Sequence, residues 1–232
     1  MSTRHAVDHH SGPKLVEHTY QPIGAAAQIL GGIVTLFLHP KTQEIGDGPH
    51  HHHHLEGKEY MCTFPGGQLY FQSKLDLDTD GSRYWRQDHT GQPDTAVHYA
   101  DGTPMDADRD NYFVLPGGFY GHYKIGKGDI GVVIYGNRKA YACFGDVGGP
   151  HKLGEGSIAL HRALGHETIH HRRLTNRGIH SGVITIVFPG SGNGKARTSA
   201  ESLSVGEPLF RALQREGDAI GNFEPSMTSN IA

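Results

Sequence analysis

Two acidic residues, Asp146 and Glu155, stand close together in the Gly-rich stretch Phe144-Gly-Asp-Val-Gly-Gly-Pro-His-Lys-Leu-Gly-Glu-Gly-Ser157. Two carboxyl groups held several ångströms apart are what glycosidic-bond hydrolysis needs. One protonates the leaving oxygen, and the other attacks or activates water. The spacing also fits a plainer reading, with Asp146 closing an Asx-turn and Glu155 facing the N-terminal dipole of a helix.

A second acidic group lies upstream, in Asp76-Leu-Asp78-Thr-Asp80-Gly81. D-x-D-x-D-G is how an EF-hand calcium loop begins, but position twelve would be Gln87 where a bidentate glutamate is required, and helical flanks are missing. Strand alternation instead sends Asp76, Asp78 and Asp80 to one face, where they need a cation, an arginine or a polycationic ligand. Asp106, Asp108 and Asp110 repeat the spacing, and one groove fed by both triplets would attract a polyamine-like substrate. His166-Glu167-Thr-Ile-His170 matches the zinc-protease pattern H-E-x-x-H. In a chain with 19 histidines such a match arises easily by chance, and Gly165 interrupts the helix just before it. Tyr84, Trp85, Tyr120 and Tyr123 are candidate platforms for stacking sugar rings, although aromatics more often pack in a core.

These groups need strands and turns to hold them. The chain has 33 Gly, 12 Pro and short apolar runs, which favour a strand-rich, loop-rich fold over a helical bundle. Gln68 to Asp78 alternates with one disturbance near Ser73. Tyr112 to Leu115 is a short strand closed by Pro116-Gly117-Gly118, and Phe119 to Ile125 follows. Ile130 to Tyr135 and Arg138 to Phe144 flank the two-residue loop Gly136-Asn137, which suits a type II′ hairpin and places Asp146 just beyond the strand end. Gly182 to Phe188 is the strongest strand signal. Ser157 caps a helix that Gly165 ends, and Ser204-Val-Gly-Glu207 reads as the capping box of a second.

The segment Lys74 to Gly81, the loop Phe144 to Ser157 and Ile184-Thr-Ile-Val-Phe-Pro-Gly-Ser191, taken in this order, resemble the fungal-type chitosanases of glycoside hydrolase family 75. The resemblance implies endo-hydrolysis of β-1,4-linked glucosamine chains with inversion. It places the essential aspartate and glutamate on Asp146 and Glu155 and the acidic segment on Asp76, Asp78 and Asp80. Lys74, Tyr120 and Tyr123 join the expected substrate-binding residues. In this reading Glu155 is the acid and Asp146 the base, no cofactor or metal is called for, and the partner is the polysaccharide. Two alternatives stand beside it: a non-catalytic module of the same fold that binds amino-sugar polymer or calcium, and a zinc metalloprotease using His166 and His170.

The expected fold is a β-rich α+β single domain on a small closed β-barrel, six-stranded and of the double-psi type, with two or three short helices. Residues 1–54 form an N-terminal extension whose linker, 40–57, contains the run His50 to His54. The catalytic domain covers 55–221 and a tail covers 222–232. Ile29 to Leu38 reads as a buried strand or partner-facing segment, too short and Gly-interrupted for a membrane span. The net charge of −3 and 19% charged content argue against a nucleic-acid binder. The first twenty residues carry Arg4, Asp8, Lys14 and Glu17 without an apolar core, so no ordinary signal peptide is expected, and a monomer is. Cys62 and Cys143 permit at most one intramolecular disulfide.

Overall fold

The computed structural model describes residues 24–46, 55–175 and 178–222. Its strands are β1 (Gln43–Glu44), β2 (Lys58–Thr63), β3 (Leu69–Asp78), β4 (Tyr112–Pro116), β5 (Ile130–Tyr135), β6 (Arg138–Gly148), β7 (Glu155–Ser157), β8 (Ile169–His170), β9 (Arg173–Leu174) and β10 (Gly178–Phe188). The α-helices are α1 (Ala26–Leu30), α2 (Ile33–Leu36), α3 (Ile158–Ala163) and α4 (Ser199–Gly221).

Six strands close into a barrel in the order β3-β10-β5-β6-β4-β7, with β7 pairing back onto β3. Two contacts are parallel, β4 with β6 and β3 with β7; the others are antiparallel. Closure leaves these strands no free edge. The β-rich, single-domain barrel is therefore as expected.

Period-two alternation builds the wall. Leu69, Phe71, Phe113, Leu115, Val133, Ala142, Phe144, Val183 and Val187 pack together inside. Tyr70, Val132, Ile134, Tyr141, Ile184 and Ile186 face outward, onto Phe210 and Leu213 of α4 and onto α1 and α2. The run Val183 to Phe188 is apolar except for Thr185, and all of it is buried because both its faces are covered. At the β5–β6 hairpin Gly136 has φ 56° and Asn137 stays at negative φ, as a type II′ turn requires. The disturbance near Ser73 coincides with register shifts on both sides of β3.

Three expectations are corrected. Ile29–Leu38 is not a strand: Leu30, Ile33 and Leu36 recur at three-residue intervals and are fully buried, the period of a helix face, with Gly31 at φ 54° joining α1 to α2. This pair crosses α4 closely, and a Cβ on Gly217 would sit 1.8 Å from the Gly32 carbonyl. Helix α4 starts at Thr198, not Ser204. Thr198 and Glu201 form the capping box, and Pro208 is carried inside a 23-residue helix rather than the short one expected. Phe119–Ile125 holds a 3₁₀ turn, Tyr120–Tyr123, ended by left-handed Lys124. Helix α3 agrees with its prediction: Ser157 Oγ accepts from Leu160 N–H, and Gly165 follows at φ 81°.

The Phe188-Pro-Gly-Ser191 segment turns out to be a structural clasp. Buried Asp129 accepts from the N–H groups of Gly126, Gly190 and Gly192, at 2.8, 3.0 and 2.6 Å. Cys62 and Cys143 are both free and lie in different apolar clusters. Among the described residues no helix is long and apolar enough to cross a membrane.

Candidate active site

One transverse row of register partners defines the site. Asp76 on β3 pairs with Glu155 on β7, Glu155 with Val114 on β4, and Val114 with Asp146 on β6. Register partners point to the same side of a sheet, so Asp76, Glu155, Val114 and Asp146 share one face. That face is the outer one, because the neighbouring residue Phe113 packs inside the barrel. Asp146 and Glu155 thus flank a single strand, and two strand spacings put their Cα atoms about 9.5 Å apart.

Asp146 reaches this face through a bulge. Phe113 pairs with Phe144, yet Val114 pairs with Asp146, which leaves Gly145 as the extra residue. Strand β6 continues to Gly148, so Asp146 lies within a strand and not on a loop beyond it. The Gly145 carbonyl accepts from Val97 N–H, and a Cβ at this position would fall 2.6 Å from Tyr112 Cβ, leaving no room for a side chain. Glu155 is set by the three-residue strand β7, clamped between β3 and β4, with the capped helix α3 directly behind.

The row opens into a cleft of about 270 Å³ lined by Asp78, Asp80, Asp88, Thr90, Gln92, Val114, Asp146, Lys152 and Glu155. Five carboxyl groups thus face one lysine. Lys152 Nζ lies 3.0 Å from Glu155 and 3.4 Å from Asp76, while Lys74 Nζ lies 2.9 Å from Asp76 and 3.3 Å from Glu56. Burial opposes the Lys152 charge, but Glu155 and Asp76 together raise its pKa.

Each buried acid carries a distinct balance. Burial raises Asp146 above the ordinary range, against the N–H groups of Ala96 and Val147 at 2.7 and 2.8 Å, a hydrogen bond from Asp80 and the charge of Lys127. Glu155 is raised by burial and by the negative charges of Asp76 and Asp146, with Lys152 opposing. Asp78 is pushed well up by burial and by Asp80, and Asp80 is pushed up to about 7, mainly by burial. One oxygen from each of Asp78, Asp80 and Asp146 lies within 4.8 Å of the others. Such crowding is relieved by protons or by a cation. The contacts favour a proton, because the Asp80 and Asp146 carboxyls can bond one another only if one is protonated, while the Tyr112 hydroxyl donates to the Asp80 backbone carbonyl.

The other candidates are placed as follows. Asp76 reaches the row but is already neutralised by Lys74 and Lys152. Tyr120 packs edge-on against Phe144 and Tyr123 against Phe119, and neither lines the cleft; Tyr84 is buried and Trp85 is covered by Arg86. Asp106, Asp108 and Asp110 stay out of the cleft. Asp108 pairs with Arg162 and Arg83, and Asp110 accepts from Tyr99 and Ser199 N–H. The zinc-protease geometry is absent: α3 ends at Ala163, so His166 follows the helix and His170 lies on β8. They do not share a helix face.

Residues 75–222 match the family model described as fungal chitosanase of glycosyl hydrolase group 75. The chain belongs to this family. It is a glycoside hydrolase of the chitosanase type, and a polysaccharide is its class of substrate. Comparison with curated proteins gives no match. Within this chitosanase-family chain, Lys152 and Asp88 are the charged cleft residues that sequence reasoning missed. Lys152 stands three residues before Glu155, within reach of it along the loop, and that proximity was a usable signal. Asp88 carried none, since only the return of the segment after the 3₁₀ turn Trp85–Gln87 brings it to the cleft.

Proposed function

We propose that the protein hydrolyses β-1,4-linked glucosamine polymer at internal bonds with inversion, Glu155 acting as general acid and Asp146 as general base. The observation that carries this reading is the shared register partner Val114. Flanking one strand leaves about 9.5 Å between the Cα atoms, a backbone spacing from which the two side chains can hold their carboxyls about 6.5–9.5 Å apart, the separation that admits water in an inverting pair. A retaining pair would need them about 5–5.5 Å apart. The roles follow from the donors. Four neighbours favour the charged form of Asp146, namely two backbone N–H groups, Asp80 and Lys127. Glu155 has one such neighbour, Lys152, and two acids that favour its protonated form. An anion suits the base and a protonated carboxyl the acid.

The charge of the cleft supports the substrate class. Even with Glu155 and Asp80 protonated, the remaining acids Asp78, Asp88 and Asp146 outnumber Lys152 in the cleft, and its field draws a polymer bearing ammonium groups. The test is release of reducing ends from chitosan, with ¹H NMR of the first product. Appearance of the α-anomer from the β-linked polymer supports inversion. First appearance of the β-anomer would overturn it, and no release would overturn the substrate.

A further inference from the structure

Asp80 stands at the mouth of β3, between the strand end and the cleft, and its contacts are unlike those of a ligand-holding acid. One oxygen accepts from Gln92 N–H at 2.7 Å. The carboxyl also stands against Asp146, one oxygen from each of Asp78, Asp80 and Asp146 lying within 4.8 Å of the others, and two carboxyl groups in such contact share a hydrogen bond only when one of them carries a proton. Asp146 Oδ1 is already occupied by the N–H groups of Ala96 and Val147, so its position is fixed from the backbone side. The shared proton fixes it from the other.

We infer that Asp80 is a positioning residue for the base: it enters the reaction as a carboxylic acid, donates its proton in a hydrogen bond to Asp146, and so holds that carboxylate charged and aimed at the attacking water. The inference rests on the hydrolase reading above and assigns Asp80 a task other than holding a substrate ammonium. The surroundings place the proton. The groups facing Asp80 are Asp78 at the end of β3, Tyr112 on β4, Asp146 on β6, Glu155 on β7, and Asp88 and Lys152 across the cleft. Tyr112 donates to the Asp80 backbone carbonyl at 3.3 Å, and burial raises the Tyr112 hydroxyl well above its ordinary value, so it stays neutral. Of the acids, Asp146 has the most donors. With two N–H donors on Asp146 and one on Asp80, the shared proton rests on Asp80, whose pKa burial pushes up to about 7.

A positioning donor and an ammonium holder respond differently to the same substitutions. Asparagine keeps a hydrogen-bond donor toward Asp146 but cannot hold an ammonium by charge; alanine does neither. Steady-state kinetics on chitosan of the full chain, Asp80→Asn and Asp80→Ala separate the two. The expected result is a fall in kcat of about 10²-fold for Asp80→Ala, KM within about threefold, and recovery of at least tenfold of the lost kcat in Asp80→Asn. Carboxyl ¹³C NMR of aspartate-labelled protein reads the proton directly, with a titration near pH 7 in the parent that is missing from Asp80→Asn. Equal rises in KM for both variants, or no recovery by asparagine, would overturn the inference. An unmodified protein inactive on every β-1,4-glucosamine polymer would instead overturn the hydrolase reading, while the NMR titration still reports on the Asp80–Asp146 pair.

Discussion

Phe144 and Asp146 are two residues apart on β6 yet face opposite sides of the barrel wall. In a regular strand they would share a face, and Asp146 would point into the apolar interior beside Phe113 and Phe144. The bulge at Gly145 reverses the phase, so the side chain emerges at the cleft. Bulges commonly re-aim side chains in this way next to active sites.

The bulge depends on the missing side chain. A Cβ at position 145 would lie 2.6 Å from Tyr112 Cβ and 2.7 Å from Met105 Sδ, both fully buried. Gly145→Ala is expected to destabilise the fold by about 1–3 kcal/mol through overpacking. Activity should fall by more than this stability loss explains, because β6 shifts under Asp146. Urea unfolding combined with kcat on folded protein checks both, and unchanged kcat would show that the bulge does not set the aim of Asp146.

Asp146→Asn and Glu155→Gln test the pair itself. Each keeps size and polarity while removing the proton chemistry, and each is expected to lower kcat by about 10²–10⁴-fold. Thermal stability should hold or rise, since burial disfavours the charged form at both positions. A variant that unfolds instead would point to a structural carboxylate.

Lys152 sets the pH at which the proposed acid loses its proton. Burial and the charges of Asp76 and Asp146 raise the Glu155 pKa, and the Lys152 ammonium at 3.0 Å pulls it down. Removing that charge in Lys152→Ala raises the pKa further, so Glu155 stays protonated to higher pH. The alkaline limb of the kcat profile is expected to move up by about one unit. An upward move of the acid limb instead, with the alkaline limb unchanged, would make Glu155 the base.

Much of this was legible in the sequence, and the omissions have physical causes. The β5–β6 hairpin, the Ser157 cap and the acidic segments rest on short-range rules of turn chemistry, capping and alternation. The register that lines up Asp76, Glu155 and Asp146 is a property of four strands far apart in the chain, and no local pattern encodes it. The Gly145 bulge was hidden for a related reason. A glycine next to an acid reads as a loop, and only pairing with β4 shows that the strand continues. Tyr120 and Tyr123 are half-buried, each with one ring contact, to Phe144 and Phe119, and lie outside the cleft lining, a placement that aromatic type alone does not reveal. For α4, Thr198-Ser-Ala-Glu201 and Ser204-Val-Gly-Glu207 carry the same capping signature, and the proline in the second misdirected the choice.

The Asp80 proton also links stability to pH. In the folded protein Asp80 titrates at about 7, against 3.8 for an unperturbed aspartate, and burial is the main cause. Between these two values the native state holds a proton that the unfolded chain has released. Stability therefore falls as pH rises through this window. The contribution is fully present below the unfolded value and lost once pH passes about 7. Asp80→Asn removes the group, so its melting temperature should fall less than that of the parent between pH 5 and 8. Groups remote from Asp80 are common to both proteins and cancel in the difference. A difference of about 2–6 °C is expected for a chain of this size, and calorimetric scans at the two pH values measure it. Parallel melting curves for the two proteins would mean that Asp80 is already ionised in the native state and does not hold the proton that steadies Asp146.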